Sequence, residues 1–295
     1  MPAETAPLVS VVVPTKDRPR ALERCLAALA AQTLAERLEI VVVDDGSLAT
    51  HDIERIVSKH TSARLLRGSG GPAAARNNGA GVAAGSFLCF TDDDCEPEPE
   101  WAERLVACLE NGADAAAGVT LAGAGALAAA SELTAHAPAA VPFSGESDLA
   151  FAPSNNLACT REAFTATPFD ESYPGAAGED RDWCARLVAG GYVLRSAPAA
   201  RLVHHQELTF DRFLRQQARY GRAAFQYRRA PTRRPLEPPG FYVRLLRRAF
   251  GQGATVGILV CVAQVATAIG YLDGWLAGRK SRRDAPPRSE RQPPM

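Results

Sequence analysis

Three continuous apolar runs, Val9–Val13, Leu38–Val43 and Ser86–Phe90, each give way to polar, turn-forming residues. Helical patterns separate them. Leu22, Cys25, Leu26 and Leu29 recur at helical spacing within Arg20–Gln32, and a short helix is expected over His51–Lys59. The turn-rich Gly68-Ser69-Gly70-Gly71-Pro72 leads into a helix over Ala73–Ala84. A strand apolar on every residue needs cover on both faces, so strands alternating with helices predict a doubly covered parallel α/β sheet. Its crossovers should be right-handed. The 295 residues suffice for one large α/β domain with an appendage.

Charge divides the chain. The 33 Lys+Arg and 33 Asp+Glu cancel overall. Residues 1–200 hold 15 basic and 27 acidic side chains, a net of −12, and residues 201–295 hold 18 and 6, a net of +12. Neutrality of the whole disfavours nucleic acid as a partner, whereas a +12 tail suits an anionic membrane surface. The seven cysteines include no CxxC, which reads as reduced thiols rather than a disulfide frame or a zinc site. MPAETAPLVS lacks a basic and an apolar region, so no signal peptide is expected.

Ligands of open α/β sheets bind beyond the carboxyl ends of the strands. Two acidic clusters stand at such ends here: Asp44-Asp45 after Ile40–Val43, and Asp92-Asp93-Asp94 after Phe87–Phe90. Adjacent carboxylates repel one another, and a hard cation such as Mg²⁺ or Mn²⁺ relieves the repulsion.

VSVVVPTKDRP (9–19), CLAAL (25–29) with Gln32, VVVDDGS (41–47), AAARNNG (73–79) and FTDDDCEPEPEW (90–101) together resemble the nucleotide-sugar-binding half of the family 2 glycosyltransferases, which have a GT-A fold. The resemblance extends over roughly residues 7–205. It implies that Pro14, Thr15, Asp17 and Asp45 line the nucleoside pocket, that Arg76 approaches the base or diphosphate, and that Asp92 and Asp94 form a DxD metal pair. Asp93 would contact ribose or support the fold. Cys95 stands where the family often has another acid, a departure that bears on the metal ligands.

Gly178-Glu179-Asp180, followed by Arg186-Leu187 and Gly190-Gly191, resembles the family's ED motif and the helix behind it. Asp180 is then expected to be the general base, with Glu179 orienting it or touching the acceptor. Asn155 and Asn156 fall at an acceptor-side loop, and His204 at a position where some GT-A enzymes complete the metal shell. Gln216, Arg219 and Tyr220 resemble a QxxRW motif with Tyr in place of Trp, suited to an acceptor sugar and diphosphate.

The expected organisation is a GT-A domain over 1–205, divided into a nucleotide-sugar half (7–110) and an acceptor half (111–205). Residues 206–250 should form a basic amphipathic helix and linker, and 276–295 a disordered basic tail. Within 112–150 the Ala- and Gly-rich sequence suggests a weakly specified strand and a mobile surface segment. Ala249–Leu272 runs 24 residues without a charge, and 251–275 is read as membrane-associated. A span, an interfacial helix and a buried helix all remain open for it; a span would keep the catalytic part cytoplasmic, on the inner or plasma membrane. The expected activity is inverting, metal-dependent, non-processive transfer from a nucleoside-diphosphate sugar to a glycan or lipid-linked hydroxyl in envelope polysaccharide or glycolipid synthesis. Alternatives are a sugar-phosphate nucleotidyltransferase, for which PTKDR lacks a glycine-rich phosphate loop, and an inactive membrane-bound scaffold, which would not need both sets of acids.

Overall fold

A computed structural model describes residues 7–138, 147–173, 177–228 and 237–284. Eight strands form one sheet: β1 (Val9–Thr15), β2 (Leu38–Asp44), β3 (Ala63–Arg67), β4 (Phe87–Thr91), β5 (Cys95–Pro97), β6 (Ala115–Ala122), β7 (Asn156–Thr160) and β8 (Leu194–His204). Their order is β3-β2-β1-β4-β7-β6-β8-β5. The first half is parallel, β3 on β2, β2 on β1 and β1 on β4. Beyond β4 the sheet is mixed: β7 is antiparallel to β4 and to β6, β6 and β8 run parallel, and β5 closes the edge antiparallel to β8.

The apolar runs have the expected cause. Val9, Val11 and Val13 point into one buried cluster with α1 (Pro19–Ala30), α2 (Thr50–Val57) and α4 (Trp101–Glu110). Val12, Val41 and Val43 point into a second with α3 (Gly71–Val82), α6 (Arg161–Ala166) and α7 (Glu179–Ala189). Alternate residues of one strand thus serve two cores, on opposite faces of the sheet. Gly79 closes AAARNNG because α3 lies hard against the sheet: a Cβ there would stand 2.4 Å from Val12 Cγ1.

The Ala- and Gly-rich stretch is more ordered than its sequence suggests. It contains β6 and a helix the sequence reading did not anticipate, α5 (Ala126–His136). Alanines on all sides gave α5 no polar face from which to read a period. Gly118 marks a register irregularity in β6, where a Cβ would meet Ala200 O at 2.3 Å. Residues 139–146, within the segment expected to be mobile, lie outside the described residues.

Among its described residues the C-terminal part holds three helices: α8 (Phe210–Tyr227), α9 (Pro239–Gly251) and α10 (Ala254–Asp284). Pro239 opens α9, where its missing N–H costs nothing, so part of the expected linker is a helix. The tail expected to be disordered from 276 is helical to Asp284, as a continuation of α10; residues 285–295 lie outside the described set, as do 229–236. A third apolar cluster joins α5, α8, α9 and α10 through Leu133, Phe213, Leu245, Ala249, Val260 and Ala263.

Candidate active site

The carboxyl ends of β1, β2 and β4 converge, and their side chains lock the loops together. Asp44 is buried; it accepts from the Ser47 N–H at 2.9 Å and pairs with Arg67, so it holds the turn. Asp45 is the more open acid, accepting from the Gly71 N–H at 3.1 Å, at the start of α3. Pro14 pairs across the sheet with Val43, and the buried Thr15 donates its hydroxyl to Asp93 Oδ2 at 2.7 Å. Asp17 has φ 54°; its N–H donates to Ser47 Oγ at 2.8 Å and its Oδ1 accepts from the Leu48 N–H at 2.7 Å. Two adjoining strand-end loops are thereby braced.

Arg76 occupies the centre. It is 3% exposed, and it donates through Nη2 to Asp92 Oδ1 at 2.8 Å and through Nη1 to Glu179 Oε1 at 3.1 Å. The Phe169 ring lies 5.7 Å from its guanidinium carbon. Arg76 therefore faces two carboxylates from opposite halves of the domain, which makes it a positioning residue more than a free donor to diphosphate. The pattern AAARNNG marks Arg76 but gives no hint of this pairing.

Glu179 and Asp180 begin α7, behind Gly178 at φ 95°. Asp180 Oδ1 accepts from the Arg181 N–H at 2.7 Å. Burial raises its carboxyl above the ordinary range, against the opposing pull of Arg181 and Arg76. Burial, with the negative charge of Asp180 beside it, pushes Glu179 up to about 7. Glu179 Oε2 is buried and has no hydrogen-bond partner among the described residues.

The third acid of DDD meets a histidine. His204 Nε2 lies 3.2 Å from Asp94 Oδ1, and its Nδ1 lies 3.0 Å from Glu132 Oε2 on α5. Glu132 also pairs with His136, one helical turn on, at 2.9 Å. Burial alone would raise the Glu132 carboxyl; the two histidines outweigh it and hold it at about 2. Burial pushes Asp93 up to about 7, with Arg18 and Thr15 opposing. Arg18 reaches Asp93 Oδ1 at 3.1 Å and Asp94 Oδ2 at 2.5 Å. Both Arg18 and Glu132 escaped the sequence reading. Arg18 sits in plain view within PTKDR, and Glu132 could have been found from its i,i+4 spacing to His136.

Ligand atoms of Asp94, Cys95 and His204 lie within 4.8 Å of one another. A carboxylate with an imidazole suits Mg²⁺ or Mn²⁺. Burial raises the Cys95 thiol well above its ordinary value, so it stays protonated and is a poor ligand. The donor set fits a hard divalent ion at Asp94 and His204, and Asp92, half-buried and held by Arg76, stands two residues away.

The acceptor-side candidates divide. Asn155 is buried beside His204, with 3.4 Å between Nδ2 and Nδ1, and its Oδ1 has no partner among the described residues. Asn156 is committed to the core: its Oδ1 accepts from Trp101 Nε1 at 2.8 Å and its Nδ2 faces Thr120 at 3.4 Å. On α8, Gln216 Nε2 donates to Tyr220 Oη at 2.9 Å and its Oε1 accepts from Ser131 Oγ at 3.3 Å. Burial raises the Tyr220 phenol, with Arg219 and Gln216 opposing and the charges of Glu132 and Asp180 adding to the rise. The Ser131–Gln216 hydrogen bond holds α8 against α5, the helix that carries Glu132. Arg219 is exposed.

Two family models match the chain. "Glycosyl transferase family 2" covers residues 10–148 and "Glycosyl transferase family group 2" covers 116–277. A Mycobacterium tuberculosis (strain ATCC 25618 / H37Rv) pre-mycofactocin glycosyltransferase is 29% identical over 226 residues, 73% of this chain and 46% of that protein. Glycosyltransferase AglE of Haloferax volcanii is 36% identical over 110 residues, 36% of each chain. The chain thus spans half or less of the length of these relatives. A solved mannosyltransferase from Pyrobaculum calidifontis, in complex with GDP-Man and Mn²⁺, shares the fold with a TM-score of 0.57 at 19% identity, over 94% of this chain and 81% of that one.

Proposed function

The chain belongs to the family 2 glycosyltransferases, and on that premise we propose that it moves a sugar, with inversion, from a nucleoside-diphosphate donor to a hydroxyl acceptor at the strand-end site around Arg76. The observation that carries this reading is the double grip of Arg76 on Asp92 and Glu179, which unites the donor acids and the ED acids in one site.

In this mechanism Pro14, Thr15 and Asp45 receive the nucleoside, with Asp45 accepting hydrogen bonds from base or ribose. Asp17 keeps the surrounding loops in place. Asp94 and His204 would hold the divalent ion, with Asp92 as a further oxygen ligand; Mg²⁺ or Mn²⁺ bound there would supply positive charge against the leaving diphosphate. Asp180 removes the acceptor proton as the acceptor oxygen bonds to the anomeric carbon and the anomeric carbon–phosphate oxygen bond breaks. Burial raises its proton affinity, which favours proton removal from the acceptor. Glu179 Oε2 and Asn155 Oδ1 offer acceptors to sugar hydroxyls, and Tyr220 a ring face. Asp93, bound by Thr15 and Arg18, supports the loop. One site that brings both substrates together supplies proximity.

The acceptor is a glycan or lipid-linked molecule of the envelope, and the catalytic domain works on the cytoplasmic side of the inner or plasma membrane, attached through 251–275. One helix segment among the described residues, Ala254–Ala277, is long and apolar enough, by length and composition, to cross a membrane. The test is a binding screen of nucleotide sugars with and without Mn²⁺, followed by acceptor trials with the best donor. Metal-dependent binding of one donor, with its diphosphate released on acceptor addition, is expected. Binding of no nucleotide sugar by the folded chain refutes the assignment of the site.

A further inference from the structure

The uncharged stretch begins at the end of α9 and runs through about the first three-fifths of α10, whose two opposite faces are both apolar there. Val256, Val260, Ala263 and Ala266 are buried against the protein. Half a turn away around the helix, Ile258, Val265, Ile269, Leu272 and Leu276 are each at least 57% exposed. Cys261 and Ala268 lie in the same exposed arc. A helix apolar on two faces passes every composition test for a membrane span, whichever way it lies.

Its packing decides between those ways. Gly221 of α8 and Gly270 of α10 meet backbone to backbone: a Cβ on either would stand 1.9 Å from a carbonyl oxygen of the other helix. Phe225 packs edge-on against Tyr271, and Arg222 reaches Asp273 at 3.4 Å. At its other end α10 follows α9 after a turn at Gly253, φ +123°, and packs back on it through Leu245 and Ala249. Standing α10 upright in a bilayer would carry its partners to the same depth. Arg215, Arg219 and Arg222 of α8 and Arg244 and Arg247 of α9 are exposed and would enter hydrocarbon.

We infer that α10 lies in the plane of an anionic bilayer, its outer arc sunk into the headgroup–acyl boundary and the arginines of α8 and α9 at headgroup level. This rests on the membrane attachment proposed above and replaces a span with a monotopic mode. Charge selects the occupant. The outer arc carries no charge, yet arginines border it, including Arg279, whose guanidinium carbon lies 4.6 Å from the Trp275 ring. An apolar ridge rimmed by arginine and an interfacial tryptophan matches a lipid surface with acidic headgroups. Exposed apolar side chains also occur on α9, at Tyr242, Val243 and Phe250, and the Phe250 ring lies over Gly257 of α10.

The chain carries its own depth probes. Cys261 is exposed while the other six cysteines are buried, so a nitroxide can be placed on it alone. Trp275 is 42% exposed, whereas Trp101 and Trp183 are fully buried, so quenching by brominated lipid reports Trp275. The two positions are fourteen residues apart, about 21 Å along a helix. With the full chain on phosphatidylglycerol–phosphatidylcholine vesicles, both probes should read the same shallow depth, and Ile269→Glu with Leu272→Glu should cut vesicle partition roughly tenfold or more. Metal-dependent nucleotide binding should be unchanged in that variant. Depths about 20 Å apart overturn the in-plane mode and leave attachment standing. Unaltered partition of the double variant overturns the assigned face. Failure to bind vesicles, or a vesicle-free dimer broken by the same substitutions, overturns attachment itself without touching the catalytic reading.

Discussion

Arg76 and Glu179, 103 residues apart in sequence, are joined by a 3.1 Å hydrogen bond between side chains that are each less than a tenth exposed. With Asp92 on its other nitrogen, Arg76 shares its single positive charge between two carboxylates that have no other side-chain ion pair among the described residues. Removing one member of a buried ionic group leaves uncompensated charge and costs about 3–5 kcal/mol. Arg76→Met should lower unfolding stability by about that amount in chemical denaturation. Arg76→Lys keeps the charge but loses the fork that reaches both acids, so stability should recover in part while activity stays low.

Asp180 must be ionised to accept a proton, and its proton affinity is raised by burial. Activity should therefore fall on the acid side at a pH above the ordinary carboxylate range, about 4. The positive charge of Arg76 favours the ionised form, so Arg76→Met should move that acid limb to still higher pH, and Arg76→Lys should restore it. Asp180→Asn should lower kcat by about 10²–10⁴-fold while metal-dependent donor binding persists. Wild-type transfer by that variant would remove Asp180 from the base role.

Glu132 fixes His204 from behind, leaving Nε2 toward Asp94. A carboxylate that orients a ligating histidine typically changes metal affinity by about 10–100-fold when lost. Glu132→Gln should weaken Mn²⁺ binding by about that factor in calorimetry without substrate. Asp94→Ala should weaken it further and abolish the metal dependence of nucleoside-diphosphate binding. Equal Mn²⁺ affinity in all three proteins would place the ion elsewhere.

Strands β1, β2 and β4 were legible because they are largely apolar on both faces and follow the runs that mark them. Strand β3, Ala-Arg-Leu-Leu-Arg at a half-exposed edge, had too little apolar contrast to be seen. The acids were legible by type and order, but their division of labour was not. Asp44 and Asp45 differ by which one the turn uses, and Arg76 by which carboxylates reach it, and both depend on contacts between distant segments. Glu132 was hidden in a helix whose alanines mask its period. The two-sided character of α10 was invisible for the same reason, since only the partner helix distinguishes one apolar face from the other.

Asn156 separates a core role from an acceptor role. Its Oδ1 is the acceptor for the fully buried Trp101 indole N–H. Asn156→Ala strands that donor and should cost about 1–3 kcal/mol in stability. Asn155→Ala removes an oxygen that has no partner among the described residues and should raise acceptor KM with a smaller stability change. The reverse pattern would exchange the two assignments.

Gly270 and Gly251 stand at opposite extremes of tolerance within the same helical hairpin. A Cβ on Gly270 would lie 1.9 Å from Ala218 O and 2.6 Å from its carbonyl carbon, both backbone atoms of α8 that cannot rotate aside. Gly251 has nothing within 4 Å and no positive φ. Gly270→Leu should therefore separate α10 from α8 and expose the apolar cluster around Phe213 and Val260, while the two clusters that flank the sheet lose nothing. Limited proteolysis should cut α10 early in that variant, and the sheet domain should keep its own unfolding transition. Gly251→Ala, at the last position of α9, should be neutral or stabilise by up to about 1 kcal/mol through reduced chain entropy. If Gly270→Leu leaves α10 protected, the two helices do not meet backbone to backbone, and the packing that holds α10 flat against the catalytic domain is not the one described.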